Sequence, residues 1–215
     1  MTDNIIEELK NNLLSLDMDN AIEKAKSIFN LKDIDMVNKT VNAISEALEE
    51  VGKKFQNGEW YLTELVFAAE ITKEILNIIT PLLEADSSKK LGTIVIGTVA
   101  GDLHDLGKNI FINYAKSAGF NVIDLGTDVS VDKFIQAIRE NNANILGMSC
   151  LLTATDKELE KVIKKLKEEK LRNKVKVIVG GAAITEEYAK EIEADAFAPD
   201  AITGIDIIKK WSESF

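Results

Sequence analysis

Histidine occurs once in this chain, at position 104, in the stretch Asp102-Leu103-His104-Asp105-Leu106-Gly107. An imidazole can bind a metal or move a proton. Asp102, two residues before it, can reach one ring nitrogen with its carboxylate. That contact would fix the tautomer and make the other nitrogen the better donor to a metal. Gly107 falls in the first turn of an expected helix, where glycine costs about 1 kcal/mol relative to alanine, so close approach of another group is a reason for its presence. Phosphate chemistry does not suit this loop. Gly97, Gly101 and Gly107 lack the spacing of a dinucleotide-binding turn, and no phosphate-loop lysine pattern follows. The single cysteine, Cys150, excludes an internal disulfide and zinc sites built on cysteine pairs. It reads as a small buried residue rather than a ligand.

The elements that must position His104 are legible on both sides of it. Residues 92–99 (Gly-Thr-Ile-Val-Ile-Gly-Thr-Val) form a short apolar, β-branched run, as expected of a strand buried on both faces. A helix is expected over about 106–118, ended by Gly119. Strands are then expected at 121–125, 144–149, 175–179 and 196–198. They alternate with helices over 130–141, 155–170, 186–192 and 201–213. Thr155 stands where an N-cap for the charged third helix is expected, and Gly180-Gly181 alone reads as a strand-ending turn. Strict alternation implies a parallel sheet of right-handed crossovers in the flavodoxin-like order 2-1-3-4-5. Ligands of such sheets bind beyond the carboxyl ends of the strands, at the switch between the first and third strands. This places the His104 loop, Ser149 and the Gly180-Gly181 turn along one edge. Ser149 and Cys150 end the third strand where a receiver domain of this fold would carry an aspartate.

Residues 1–86 are helical in pattern and are expected to form a four-helix bundle, with a polar linker over 85–90 and the α/β domain over 91–215. In this bundle Leu62, Leu65 and Val66 fall at apolar helical positions. The third bundle helix is expected to stop near residues 52–54, and the fourth to begin near Trp60 after a turn at 56–59. Up to Glu84 there are sixteen acidic residues against eight lysines and no arginine, and the whole chain carries a net charge of −10. A nucleic-acid partner would require a basic face, and none is evident. No signal-peptide pattern opens the chain, and no apolar run approaches the ~18 residues of a membrane span. The protein is expected to be cytoplasmic, with no membrane partner.

In all three parts the motif resembles that of the cobalamin-binding modules: D-x-H-x-x-G at Asp102–Gly107, S-x-L at Ser149-Cys150-Leu151 after 41 residues, and G-G at Gly180-Gly181 after 28 more. The resemblance implies that His104 displaces the cofactor's own base from cobalt. The displaced tail then threads into a slot for which Gly180 and Gly181 leave room. Ser149 adds a polar contact and Leu151 an apolar wall, with Thr153 and Gly107 also on the cofactor. It further couples Asp102 and His104 to a hydroxyl six residues beyond the serine, here Thr155. This trio is expected to take up a proton when His104 leaves cobalt.

The helical region is similar to the cap of methionine synthase and of the small corrinoid proteins of methanogens and acetogens. That resemblance sets Trp60 and Tyr61 over the methyl-bearing side of the corrin, although both would also suit the bundle core. It implies a non-catalytic methyl carrier. A substrate-specific methyltransferase would load it, a methylcorrinoid:coenzyme M or tetrahydrofolate methyltransferase would unload it, and a reductive activase would restore it. A mutase subunit with an adenosyl cofactor and a cobalamin-dependent regulator are the readings from other classes. The donor, whether methanol, a methylamine, a methoxylated aromatic or a betaine, has no motif in this chain.

Overall fold

The computed structural model describes residues 2–85 and 91–213. Beyond Ala85, the expected linker lies outside the described residues. The chain divides into two compact units, Met1–Ala85 and Asp86–Phe215.

The described part of the first unit consists of helices α1 (Thr2–Leu14), α2 (Met18–Leu31), α3 (Ile34–Gln56) and α4 (Leu62–Ile79), followed by a 3-10 turn at Thr80–Ala85. Asp17 caps α2 by accepting the Asn20 N–H, and Asp33 caps α3 by accepting those of Asp35 and Met36. α1 packs on α2 and α3, and α4 packs on the same two helices. The core they enclose includes Leu9, Leu13, Ile28, Val41, Ile44, Ile71 and Ile75, with Ala21, Ala25, Ala47 and Ala68 allowing close approach. α3 runs past the expected stop at residues 52–54. Val51 is buried, and Lys53 and Lys54 reach back to Glu49 and Glu50 at 2.6 and 3.4 Å, so this turn of helix is supported on both faces. α4 begins two residues later than expected, because Glu64 turns back to accept the Tyr61 N–H at 3.0 Å. Its buried face is Ala68, Ile71, Thr72, Ile75, Leu76 and Ile79. Leu62 and Val66, read from their spacing as bundle positions, lie instead on the exposed side with Phe67.

In the second unit the described residues form a five-stranded parallel sheet in the order β2-β1-β3-β4-β5. The strands are β1 (Thr93–Thr98), β2 (Asn121–Asp124), β3 (Ile145–Ser149), β4 (Lys176–Gly180) and β5 (Ala196–Ala198). The intervening helices are α5 (Leu106–Ala118), α6 (Val131–Asn141), α7 (Lys157–Glu168), α8 (Glu186–Glu191) and α9 (Ala201–Ser212). Val95, Leu146, Met148, Val177 and Val179 project to one face and pack with α6, α7 and α8 through Phe134, Ile138, Leu159 and Ile163. By strand alternation Ile94, Ile96, Ile145 and Ile178 face the other side. There α5 and α9 pack on each other closely enough that a Cβ at Gly204 would sit 2.9 Å from the Phe111 ring. α7 starts later than expected: a 3-10 turn at Thr153–Thr155 precedes it, and Asp156 rather than Thr155 is its first flanking residue.

One charge is buried beside the start of α5. Lys108, only 4% exposed, points its ammonium at Asp124 Oδ1 and Asn109 Oδ1, each at 2.8 Å. Asp124 is partly exposed, so removing the lysine leaves a carboxylate that water can reach, whereas removing the aspartate leaves a buried cation. Asp124→Ala is therefore expected to cost about 2 kcal/mol, and Lys108→Met less, since the thioether replaces most of the apolar stem. Urea unfolding of the two variants checks that order.

Candidate functional site

β1 ends at Thr98, and the chain turns through residues 99–105 before entering α5. One contact holds this loop to the strand it leaves and a second closes the turn on itself. Thr98 Oγ1 donates to the His104 carbonyl at 2.8 Å, and the Asp102 N–H donates to the Val99 carbonyl at 3.2 Å. Asp102 is fully buried. Its Oδ1 accepts the His104 backbone N–H at 3.0 Å and lies 2.7 Å from His104 Nδ1. Its Oδ2 accepts the N–H groups of Leu151 and Leu152 at 2.6 and 3.3 Å. One carboxylate thus joins the loop after β1 to the loop after β3. Burial acts to raise the Asp102 pKa, but the N–H groups of His104 and Leu151 and the His104 ring outweigh it and hold the carboxyl below the usual range.

An ionised Asp102 accepts from the ring nitrogen it faces, so in the neutral tautomer that suits this contact Nδ1 carries the proton and Nε2 the lone pair. The His104 side chain is 53% exposed, which leaves that lone pair accessible. The two loops that Asp102 joins also expose leucines: Leu103 is 73% exposed, and Leu151 and Leu152 are 39% exposed each. An imidazole about half exposed, with one nitrogen tied to a buried carboxylate, on a loop that also exposes Leu103, suits a metal enclosed in an apolar ligand. Among the described residues no group of three or more His, Cys, Asp or Glu side chains could hold a metal unaided.

The other expected residues divide into those the structure gathers here and those it does not. Sheet register sets Thr98, Ser149 and Gly180 side by side, with Ser149 half-buried. Gly107 lies in the first turn of α5, where a Cβ would meet nothing within 4 Å, so the protein's own packing does not require a glycine. The opposite holds for the pair at the end of β4. A Cβ at Gly180 would sit 2.8 Å from the Ala198 carbonyl oxygen, and one at Gly181, whose φ is +118°, would sit 2.2 Å from that of Cys150. On the side where a Cβ would stand, each of these glycines meets protein backbone, and that close main-chain approach is a reason for both.

Thr155 does not complete the Asp102–His104 pair. Its hydroxyl donates to the Leu152 carbonyl at 2.9 Å and touches Cys150 Sγ at 3.4 Å, while backbone N–H groups occupy the second oxygen of Asp102. It does not cap α7 either, since its hydroxyl serves the turn before it. Thr153 opens that turn and is exposed. Cys150 is buried, which pushes its thiol pKa up, as for a packing residue rather than a ligand. In the first unit, Lys54 lies over the Trp60 ring at 4.9 Å, and Tyr61 is 75% exposed and outside the bundle core. The exposed apolar face of α4 lines an open groove made by Leu62, Thr63, Val66, Phe67 and Glu70.

Sequence reasoning passed over Leu103, Leu152, Leu62, Val66 and Phe67 as exposed groups. The signal for one of them, Leu152, was its place beside Leu151 past the end of a buried strand, where a loop has no core to enter.

Comparison with known proteins gives the family. The B12 binding domain family matches residues 92–205, and a second family of the same description matches residues 5–80. The chain is 39% identical over 205 residues to dimethylamine corrinoid protein 2 of Methanosarcina mazei, covering 92% of each chain. It is 34% identical over 207 residues to trimethylamine corrinoid protein 2 of the same organism, covering 95% of this chain and 94% of that one. The solved structure of the Methanosarcina barkeri monomethylamine corrinoid protein superposes with a TM-score of 0.89 at 25% identity, covering 98% of this chain and all of that one. No helix among the described residues is long and apolar enough to cross a membrane.

Proposed function

Because the chain belongs to the B12-binding corrinoid proteins of methyltransferase systems, we propose that His104 is its axial ligand to cobalt and that the methyl group it carries comes from a methylamine. As a member, the protein binds cobalamin or a related corrinoid and serves as a methyl carrier. The observation that carries the ligand assignment is the 2.7 Å contact between Asp102 Oδ1 and His104 Nδ1, which leaves Nε2 exposed. The donor assignment rests on relatives named for dimethylamine and trimethylamine.

The bound corrinoid supplies the bond chemistry, a cobalt that accepts a methyl group and gives it up. The residues of this chain do the rest. Asp102 holds the imidazole in one tautomer and one orientation. Leu103, Leu151 and Leu152 offer an apolar surface that excludes water around the ring. Gly107 leaves an open place beside the motif. Tyr61, with Leu62 and Val66, is the part of the N-terminal unit proposed to shield the methyl group. The partners are a methylamine methyltransferase that loads the carrier, a second methyltransferase that passes the group to coenzyme M or tetrahydrofolate, and a reductive activase.

Gly107→Ala separates this reading from one in which the glycine is incidental. An alanine there is expected to stabilise the cofactor-free fold by about 0.5 kcal/mol while weakening corrinoid binding. Melting of the free protein and titration with cobalamin measure the two effects, and unchanged binding would remove Gly107 from the site. The donor is tested by reducing the reconstituted protein and supplying monomethylamine, dimethylamine, trimethylamine or methanol, each with its own methyltransferase. Methylation from a methylamine is expected. Methylation from methanol alone would overturn the donor assignment.

A further inference from the structure

We propose that Asp128 is a positioning residue that sets the Asp102–His104 turn, and so the direction in which His104 is presented. The inference rests on the reading of His104 as the cobalt ligand. Asp128 lies between β2 and α6, outside the motif. The stretch that carries it is zipped along the end of β1. Leu125 N–H donates to Ile96, Thr98 N–H to Gly126, and Val129 N–H back to Thr98, at 2.8, 3.0 and 2.9 Å. One residue before Val129, the same stretch meets the motif loop. Asp128 Oδ1 accepts the Gly101 N–H at 2.7 Å, and the Asp128 N–H donates to the Asp102 carbonyl at 3.0 Å. These two bonds hold the chain on either side of the Gly101–Asp102 link.

Both partners in this clasp have unusual backbones. Asp128 has φ +52° and Gly101 has φ +81°. Aspartate and asparagine tolerate the left-handed region better than other residues with a side chain, and they alone among those also offer a short carbonyl-type acceptor. Asp128 is exposed, so packing gives no reason for it to hold that conformation. What it gains is the pair of bonds to the loop. Asp102 must aim one oxygen at the His104 ring and the other at Leu151 and Leu152, and its backbone has to be fixed for both to be met. Thr98 holds the far end of the turn at the His104 carbonyl, and Asp128 holds the near end.

The test compares Asp128→Asn, which keeps the side-chain acceptor and the tolerance for φ +52°, with Asp128→Gly, which keeps the tolerance and the backbone N–H but loses the acceptor for the Gly101 N–H. In the cofactor-free protein the Gly101 amide is expected to exchange at the wild-type rate in Asp128→Asn and about tenfold faster or more in Asp128→Gly. After loading with cobalamin, Asp128→Asn is expected to give the wild-type visible spectrum. Asp128→Gly is expected to move towards the spectrum of His104→Ala, the reference for cobalt without histidine. A wild-type spectrum for Asp128→Gly would overturn the inference, as would an Asp128→Asn protein that behaves like Asp128→Gly. If wild type and His104→Ala give the same spectrum, the ligand reading itself falls and this inference with it. Such a result is distinct from either of the first two.

Discussion

His104→Ala is expected to leave the cofactor-free fold nearly intact and to abolish histidine coordination of cobalt. The ring is about half exposed, and Asp102 keeps the N–H groups of His104, Leu151 and Leu152 when the imidazole is gone. Loss of the ring should therefore cost under about 1 kcal/mol of stability. The effect on function should be far larger. Outer partners of a metal ligand change affinity or activity by about 10–100-fold, so deleting the ligand itself should slow methyl transfer by at least that much. Melting of the cofactor-free protein, the visible spectrum after reconstitution and single-turnover methyl transfer together check this. A spectrum unchanged from wild type would remove His104 from cobalt.

Asp102→Ala is expected to reverse that balance, with a large loss of stability as well as of site geometry. The carboxylate is fully buried and accepts N–H groups from two loops. Without it the Leu151 and Leu152 N–H groups lose their acceptor beside the core, at a cost of about 3 kcal/mol. Asp102→Asn should fall between wild type and alanine. One of its two oxygens becomes an NH2 group, which must then face an N–H either of the His104 turn or of the Leu151 loop. Urea unfolding of the cofactor-free proteins measures the order wild type, Asn, Ala. Equal midpoints for all three would mean that the carboxylate does not join the loops.

The sheet and its ligand-binding edge were legible because they rest on strong local signals. Short apolar runs of five to eight residues at 92–99, 144–149 and 175–179 read as buried parallel strands, and their alternation with helices leaves few topologies. Asp102 and His104 were legible because a ring and a carboxylate two residues apart can meet within one turn. The second partner of Asp102 was not. A hydroxyl at Thr155 is visible in a sequence, but the groups that occupy that oxygen are the backbone N–H groups of Leu151 and Leu152, which every residue but proline carries. The same limit applies at Gly180 and Gly181. A glycine pair marks close approach without saying of what, and here the approaching groups are the carbonyls of Ala198 and Cys150. In α4, apolar residues occur all round the helix, so periodicity alone could not separate the buried Ile71 and Ile75 from the exposed Leu62 and Val66. Asp128 carried no signal, since its role arises only where two loops meet.

The central claim is that the nitrogen on cobalt belongs to His104. Because the chain contains one histidine, protein grown with 15N-labelled histidine and loaded with unlabelled cobalamin carries the label in one imidazole. Reduction to the cobalt(II) state and electron paramagnetic resonance then read the nitrogen bound along the cobalt axis. Each cobalt line, split into three by 14N in unlabelled protein, is expected to be split into two in labelled protein. A three-line splitting that survives the labelling would assign the ligand to the cofactor's own base and remove His104 from cobalt.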